Sequence, residues 1–203
     1  MYRTPPDFIK LLGGDAGVRG RHRVEARHGG TPAVEILETV RAERPALLSA
    51  LALAGFCGLR ADEVQGKRDD RARRQAWEDV HLDRGFLSVS AAKTNTPSWR
   101  VVPLCEAAVA WLSLVPVAKR TGPVGEARCL EKVRWHMRHR EKPVNLPENC
   151  LRHSWISYRL AADGNKAQVA EWAGNSPAEL TRRYRVPLPR DAGEAWFAIR
   201  PKS

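Results

Sequence analysis

The sequence has few acidic residues for its number of basic ones, only four cysteines, three tyrosines and no long apolar run. Each shortage excludes something. The longest apolar stretch, Pro45 to Leu59, falls short of the roughly 20 residues that cross a bilayer. It is also interrupted by Gly55 and Gly58, so it reads as a buried helix. The opening segment Met1-Tyr2-Arg3-Thr4-Pro5-Pro6-Asp7 has no apolar signal core, so secretion is not indicated and a cytoplasmic location is expected. Cys57, Cys105, Cys129 and Cys150 form no CxxC pair and read as reduced thiols rather than a disulfide frame. The set Cys129, His136, His139 and Cys150 is too irregular in spacing for a zinc site. No metal and no cofactor is therefore expected.

The shortage of acid is informative in itself. Lys and Arg total 34 against 23 Asp and Glu, a net charge of +11 over 203 residues. That excess fits a polyanionic partner. Nucleic acid comes first; an anionic membrane comes second, but no basic amphipathic helix stands out. Apolar residues at 43% and charged residues at 28% predict a packed core in one substantial domain or two small ones.

Residues 1–31 are rich in Gly and Arg and read as a flexible basic arm or linker. Thr31-Pro32 then starts a helix running to about Arg44. Pro45 to Cys57, apolar nearly all round, predicts a core helix, and a short helix carries Arg60, Glu63 and Val64. The period then changes to two. Trp77–Leu82, Phe86–Ser90 and Trp99–Leu104 alternate and predict a three-stranded antiparallel meander. Charge-dense Lys67–Arg74 reads as a solvated loop. Helices resume at Glu106–Leu114, Cys129–Arg140 and Cys150–Ala162, with Gly164 as a stop. Asn165 caps a helix ending at Gly174, and Ser176-Pro177-Ala178-Glu179 opens another through Leu180–Arg185. Trp77, Trp111, Trp155 and Trp172 lie in periodic segments and are expected in the core. The fold class is mainly α with a small three-stranded antiparallel β-sheet.

Three segments are informative together. They are Gly58-Leu59-Arg60-Ala61-Asp62-Glu63, then Lys93 in the hairpin turn, then Leu151-Arg152-His153-Ser154 followed by Gly174-Asn175 and, nine residues on, Tyr184. In this order and spacing the chain resembles the catalytic domain of the tyrosine recombinase (phage integrase) family, from about residue 32 to residue 186. The resemblance implies metal-free cleavage and rejoining of duplex DNA through a 3′-phosphotyrosyl link, in integration or recombination of mobile DNA. It implies Tyr184 as nucleophile, Arg60 and Arg152 on the phosphate, Lys93 as the acid for the 5′-oxygen, and Glu63 as a buttress for Arg60. Elementary chemistry agrees. A phenol can carry a covalent phosphate, and planar guanidinium forks suit non-bridging oxygens better than ammonium groups. A titratable amine on a turn can protonate a leaving oxygen.

Two positions depart from the family pattern. Asn149 stands where the His-x-x-Arg histidine is usual, and Asn175 where the Gly-His histidine is usual. Asparagine donates a hydrogen bond but shuttles no proton near neutral pH, so cleavage is expected to be slowed rather than abolished. The alternative is a catalytically degenerate DNA-binding relic. His153 follows Arg152, about 100° around the helix, and a structural role is expected of it. Arg134, Arg138 and Arg140, with His136 and His139, are expected to form a basic DNA-binding face, joined by Arg182 and Arg183 around the nucleophile.

The family also implies a homo-oligomer on DNA, dimer or tetramer, which would make the protein nucleoid-associated when bound. The tail from Asp191, with apolar Ala195–Ile199, is expected to pack either on a neighbouring protomer or on its own chain. The family normally places a helical DNA-clamping domain before the catalytic one. Residues 1–31 are too short for that, so a truncated or fragmentary integrase is expected. The expected layout is an arm at 1–31, a catalytic domain at 32–190 and a tail at 191–203.

Overall fold

The computed structural model describes residues 33–66, 74–90, 99–184 and 188–203. The expected arm at residues 1–31, most of the Lys67–Arg74 loop, Lys93 and Arg185 lie outside the described residues.

The architecture is organised around one helix. In α1 (Ala33–Glu43), Ala33, Ile36, Leu37 and Val40 recur at helical spacing and are all buried. A 3-10 turn at Pro45–Leu47 leads into α2 (Leu48–Phe56), in which all nine residues are buried. A helix apolar all round must be covered all round. α2 accordingly packs against α1, α3 (Ala61–Gln65), α4 (Glu106–Leu112), α5 (Cys129–Arg138) and α6 (Cys150–Asp163). Fully burying each of its leucines contributes about 1.5–3 kcal/mol.

The sheet has the order β1-β2-β3 and is antiparallel throughout, from Val80–His81, Phe86–Val89 and Arg100–Pro103. Val80 faces Leu87, Leu87 faces Val102, and Val89 faces Arg100. Strand alternation turns Leu87, Val89, Arg100 and Val102 inward together. The first strand is shorter than the alternation at Trp77–Leu82 predicted. Trp77–Asp79 winds into a 3-10 turn instead. One bond is local and one distant: the Asp79 carboxylate accepts from the Ala76 N–H at 3.3 Å, and the Trp77 N–H donates to the Gly122 carbonyl at 2.8 Å. That backbone is therefore committed away from β2.

The last third of the chain follows its cap residues. α6 ends at Gly164, whose φ is +69°. Asn165 opens α7 (Lys166–Ala173), its side chain accepting from the Gln168 N–H at 3.1 Å. Ser176 opens α8 (Pro177–Arg183) by accepting from the Glu179 N–H at 3.2 Å. Tyr184 stands just beyond that helix rather than inside it, with φ −113° and ψ 65°. Trp77, Trp111 and Trp155 are buried as expected, while Trp172 is half-buried with the Arg159 guanidinium over its ring.

The tail is α9 (Arg190–Phe197), docked on its own chain against α6. The Trp196 indole is fully buried, stacks on Tyr158 at 4.3 Å and donates to the Gly55 carbonyl at 3.2 Å. Beyond α9, the Arg41 guanidinium donates to the Lys202 carbonyl at 2.9 Å. Among the described residues no helix is long and apolar enough to cross a membrane.

Candidate active site

The site forms where the start of α3, the start of α6, the α7–α8 turn and the end of α8 meet. Core packing sets its first element. Gly58 has φ +64°, and a Cβ there would lie 2.2 Å from the Trp155 ring. Only glycine lets the chain pass this indole and turn into α3. Arg60 is the cap residue of α3. Glu63, three residues on, reaches back to accept from the Arg60 N–H at 2.8 Å and from its Nη1 at 3.1 Å.

Glu63 has a second partner that the sequence did not reveal. Arg100, inward on β3, forks onto the same carboxylate with contacts of 3.0 and 2.7 Å. Its Nε donates to the Trp172 carbonyl at 2.8 Å. Burial works to raise the Glu63 pKa, but the Arg100 hydrogen bonds and charge, with help from Arg60, hold it below the usual carboxylate value. The carboxylate is therefore ionised at neutral pH.

Arg152 is buried, with its guanidinium donating to the Gly58 carbonyl, the Ala173 carbonyl and the Asn175 Oδ1, each at 2.6 Å. Arg60 donates to the same Asn175 oxygen at 2.8 Å and to the Gly174 carbonyl at 2.6 Å. One amide oxygen thus bridges two like-charged groups. Gly174 makes this approach possible. It has φ +63°, and a Cβ there would press on Arg100 at 3.0 Å and Arg60 at 3.3 Å. Burial, then the neighbouring Arg60 charge, lowers the Arg152 pKa to about 10, which still leaves it charged at neutral pH.

Tyr184 and His153 complete the cleft. The Tyr184 Oη lies 2.6 Å from His153 Nδ1, with the rings 5.7 Å apart. Burial pushes the phenol up to about 12, against the opposing pull of Arg152 and Arg183. Burial, then Arg152 and Arg183, lowers the His153 pKa below its ordinary value. Arg60, Arg152, Asn149, Asn175, His153 and Tyr184 line one cleft of about 220 Å³, together with Asp62, Glu148, Glu179 and Arg183. Asn149 holds a left-handed backbone at φ +56°, which asparagine tolerates, and its side chain does not cap α6.

The expected basic face on α5 divides. Arg134 borders an adjoining cavity of about 120 Å³ with Asp62, Glu131 and Glu148. Arg138 is exposed and donates to Asn145 at 3.3 Å. Arg140 and His136 instead hold Glu43 of α1, at 3.1 and 2.7 Å. His139 stacks on the exposed Trp135. Arg182 and Arg183 are exposed beside Tyr184, with Arg183 3.3 Å from Glu179.

The arrangement sets the Arg60 and Arg152 guanidinium groups and the Tyr184 phenol on one cleft, with the Glu63–Arg100 pair buried behind Arg60. Comparison with solved structures bears on the fold that carries these residues. The integrase of mycobacterium phage Brujita superposes with a TM-score of 0.51 at 19% identity, over 87% of this chain and 62% of that one. The Tn1549 transposon integrase, in complex with a circular intermediate DNA, superposes with a TM-score of 0.52 at 16% identity, over 86% of this chain and 66% of that one. The fold is that of a tyrosine recombinase catalytic domain. The chain spans less than two thirds of either integrase. No family model and no curated protein matches its sequence.

Within this fold Arg60 caps α3, which packs on α2, and Arg100 lies on β3, which packs on α7. Of the residues singled out in the sequence, Arg60, Asn149, Arg152, His153, Asn175 and Tyr184 line one cleft and Glu63 bonds Arg60 beside it, while Arg100 was not among them. The available signal was alternation, which puts Arg100 on the face of Val102. The 100° step from Arg152 to His153 is also visible: it sends Arg152 to the α7–α8 turn and His153 to Tyr184.

Proposed function

We propose that this chain is the catalytic domain of a tyrosine-type DNA strand transferase. It would cleave duplex DNA by forming a 3′-phosphotyrosyl link through Tyr184 and reseal it by the reverse step. The observation that carries the reading is the convergence of the Tyr184 phenol, Arg60, Arg152 and Asn175 on one cleft within a recombinase fold.

The chemistry follows from the donors left over. A guanidinium has five N–H donors. Arg60 and Arg152 each spend three on the bonds described above. Two remain on each for the non-bridging oxygens of a scissile phosphate. The two positive charges in excess of Glu63 oppose the charge that builds in the pentavalent transition state. They are held by backbone carbonyls and by Asn175, so little reorganisation is needed when that charge appears. Lys93, on the β2–β3 connection, is proposed to protonate the leaving 5′-oxygen. Arg134, Arg138, Arg182 and Arg183 would position the duplex through its phosphates.

Asn149 and Asn175 transfer no proton near neutral pH, and losing one acid–base partner typically costs about 10²–10⁴-fold. Slowed cleavage is therefore part of the proposal. A nicked suicide DNA substrate, which traps the covalent complex, tests it. The wild type should form an adduct that Tyr184→Phe abolishes. Binding without adduct, unchanged by that substitution, would identify a degenerate DNA-binding relic.

A further inference from the structure

We propose that His153 is the proton acceptor for Tyr184, supplying from the residue after Arg152 the base that Asn149 and Asn175 cannot provide. This deepens the strand-transfer reading above and rests on it. The geometric case is direct. His153 Nδ1 lies 2.6 Å from the phenol oxygen, inside the reach required of a general base in the attacking complex. Both side chains are half-buried, which limits competition from water.

The protonation states suit the roles. The phenol, pushed up to about 12, carries its proton at neutral pH and is a weak nucleophile until that proton leaves. The imidazole, lowered by burial and by Arg152 and Arg183, is neutral and has a lone pair to offer. With the hydrogen on Nε2, Nδ1 accepts from the phenol. Charged groups surround the pair: Arg152 on α6 itself, Glu179 and Arg183 on α8, Arg60 and Asp62 at α3, and Glu148 before α6. An imidazolium formed alone beside Arg152 and Arg183 would be disfavoured. It becomes acceptable when negative charge grows on the phosphate in the same cleft, so proton transfer is coupled to attack.

The step balances. The Tyr184 oxygen forms a bond to phosphorus, and its proton passes to His153 Nδ1. The P–O5′ bond breaks, and the departing oxygen takes a proton from the acid. On rejoining, the 5′-hydroxyl oxygen attacks phosphorus and loses its proton to that acid's conjugate base. The P–O(Tyr) bond breaks, and His153 returns its proton to the phenolate.

The test is the single-turnover rate of adduct formation on the suicide substrate, across a pH series, for the wild type, His153→Gln and His153→Asn. Both amides keep a hydrogen-bonding group but cannot take a proton. The expected result is a rate loss of about 10²-fold or more with DNA affinity retained. The wild-type rate should fall as pH drops below the histidine's lowered pKa, because protonation removes the base, and this fall should vanish in both variants. A folded variant that forms adduct at the wild-type rate, or that keeps the acidic fall, overturns the assignment alone. A wild type that forms no adduct overturns it together with the strand-transfer reading.

Discussion

Removing Glu63 should be the most damaging single change near the cleft that touches neither phenol nor phosphate. Its carboxylate is 1% exposed and its partner Arg100 is 4% exposed, so water screens this pair very little. Breaking a buried ion pair by deleting one partner costs about 3–5 kcal/mol, because the other charge is left uncompensated. In Glu63→Ala that charge is Arg100, beside Arg60 and Arg152. The part held with Arg60 adds little, since that guanidinium is 34% exposed and such pairs contribute about 0.2–1 kcal/mol. For a domain of this size each kcal/mol shifts Tm by about 2–4 °C, giving a loss of about 6–20 °C. The pH dependence has a definite sign. A carboxyl whose folded pKa is lowered contributes stability above its unfolded value, here near 4.5, and loses it as pH falls through the folded value. The gap between wild type and variant should therefore be full at neutral pH and close in acid. Urea unfolding followed by circular dichroism at both pH values measures this. A neutral-pH loss under about 1 kcal/mol, or a gap that persists unchanged in acid, would refute the reasoning. Glu63→Ala combined with Arg100→Met should regain much of the loss, since well-packed apolar replacements of buried pairs are often neutral.

Gly58→Ala should destabilise by about 2–5 kcal/mol, from about 1–2 for the left-handed backbone and about 1–3 for overpacking against Trp155. It should also weaken DNA binding, because the Gly58 carbonyl anchors Arg152; denaturation and fluorescence anisotropy report the two effects. Arg182→Ala should leave unfolding unchanged, since the side chain is exposed, and should reduce the slope of log affinity against log salt by about one. Anisotropy titrations at several salt concentrations check this.

Much of the framework was legible because it is written locally. Asn165, Ser176, Gly164 and Gly174 act on their own neighbours, and the structure uses each as a cap or stop where a short-range reading places it. The buried stripe of α1 and the all-round burial of α2 follow from the spacing of their apolar residues. What local patterns could not give is pairing across the fold. Strand β3, with Trp99 just before it, has apolar Trp99, Val101 and Pro103 on one alternating set and Arg100 and Val102 on the other. Hydrophobicity would turn the first set inward, yet Trp99 is 73% and Val101 55% exposed. The other face wins because a carboxylate 37 residues away waits there for the arginine. The pairing of His153 with Tyr184 was hidden for a similar reason, since it depends on where α8 delivers Tyr184, 31 residues on. The tail's apolar residues indicated that it would dock, but not on what. Trp196, reaching Gly55 across 141 residues, supplies the answer.

Trp155 has a consequence out of proportion to its distance from the reactive groups. It follows Arg152 by three residues on α6, and its ring occupies the space beside Gly58 that opens the turn to Arg60. One rigid indole therefore works as a spacer between the two mounts, and mutual repulsion cannot widen their separation without prising that ring out of the interior. On the strand-transfer reading, tuning the grip on a phosphate would then proceed through a residue hidden from any nucleic acid.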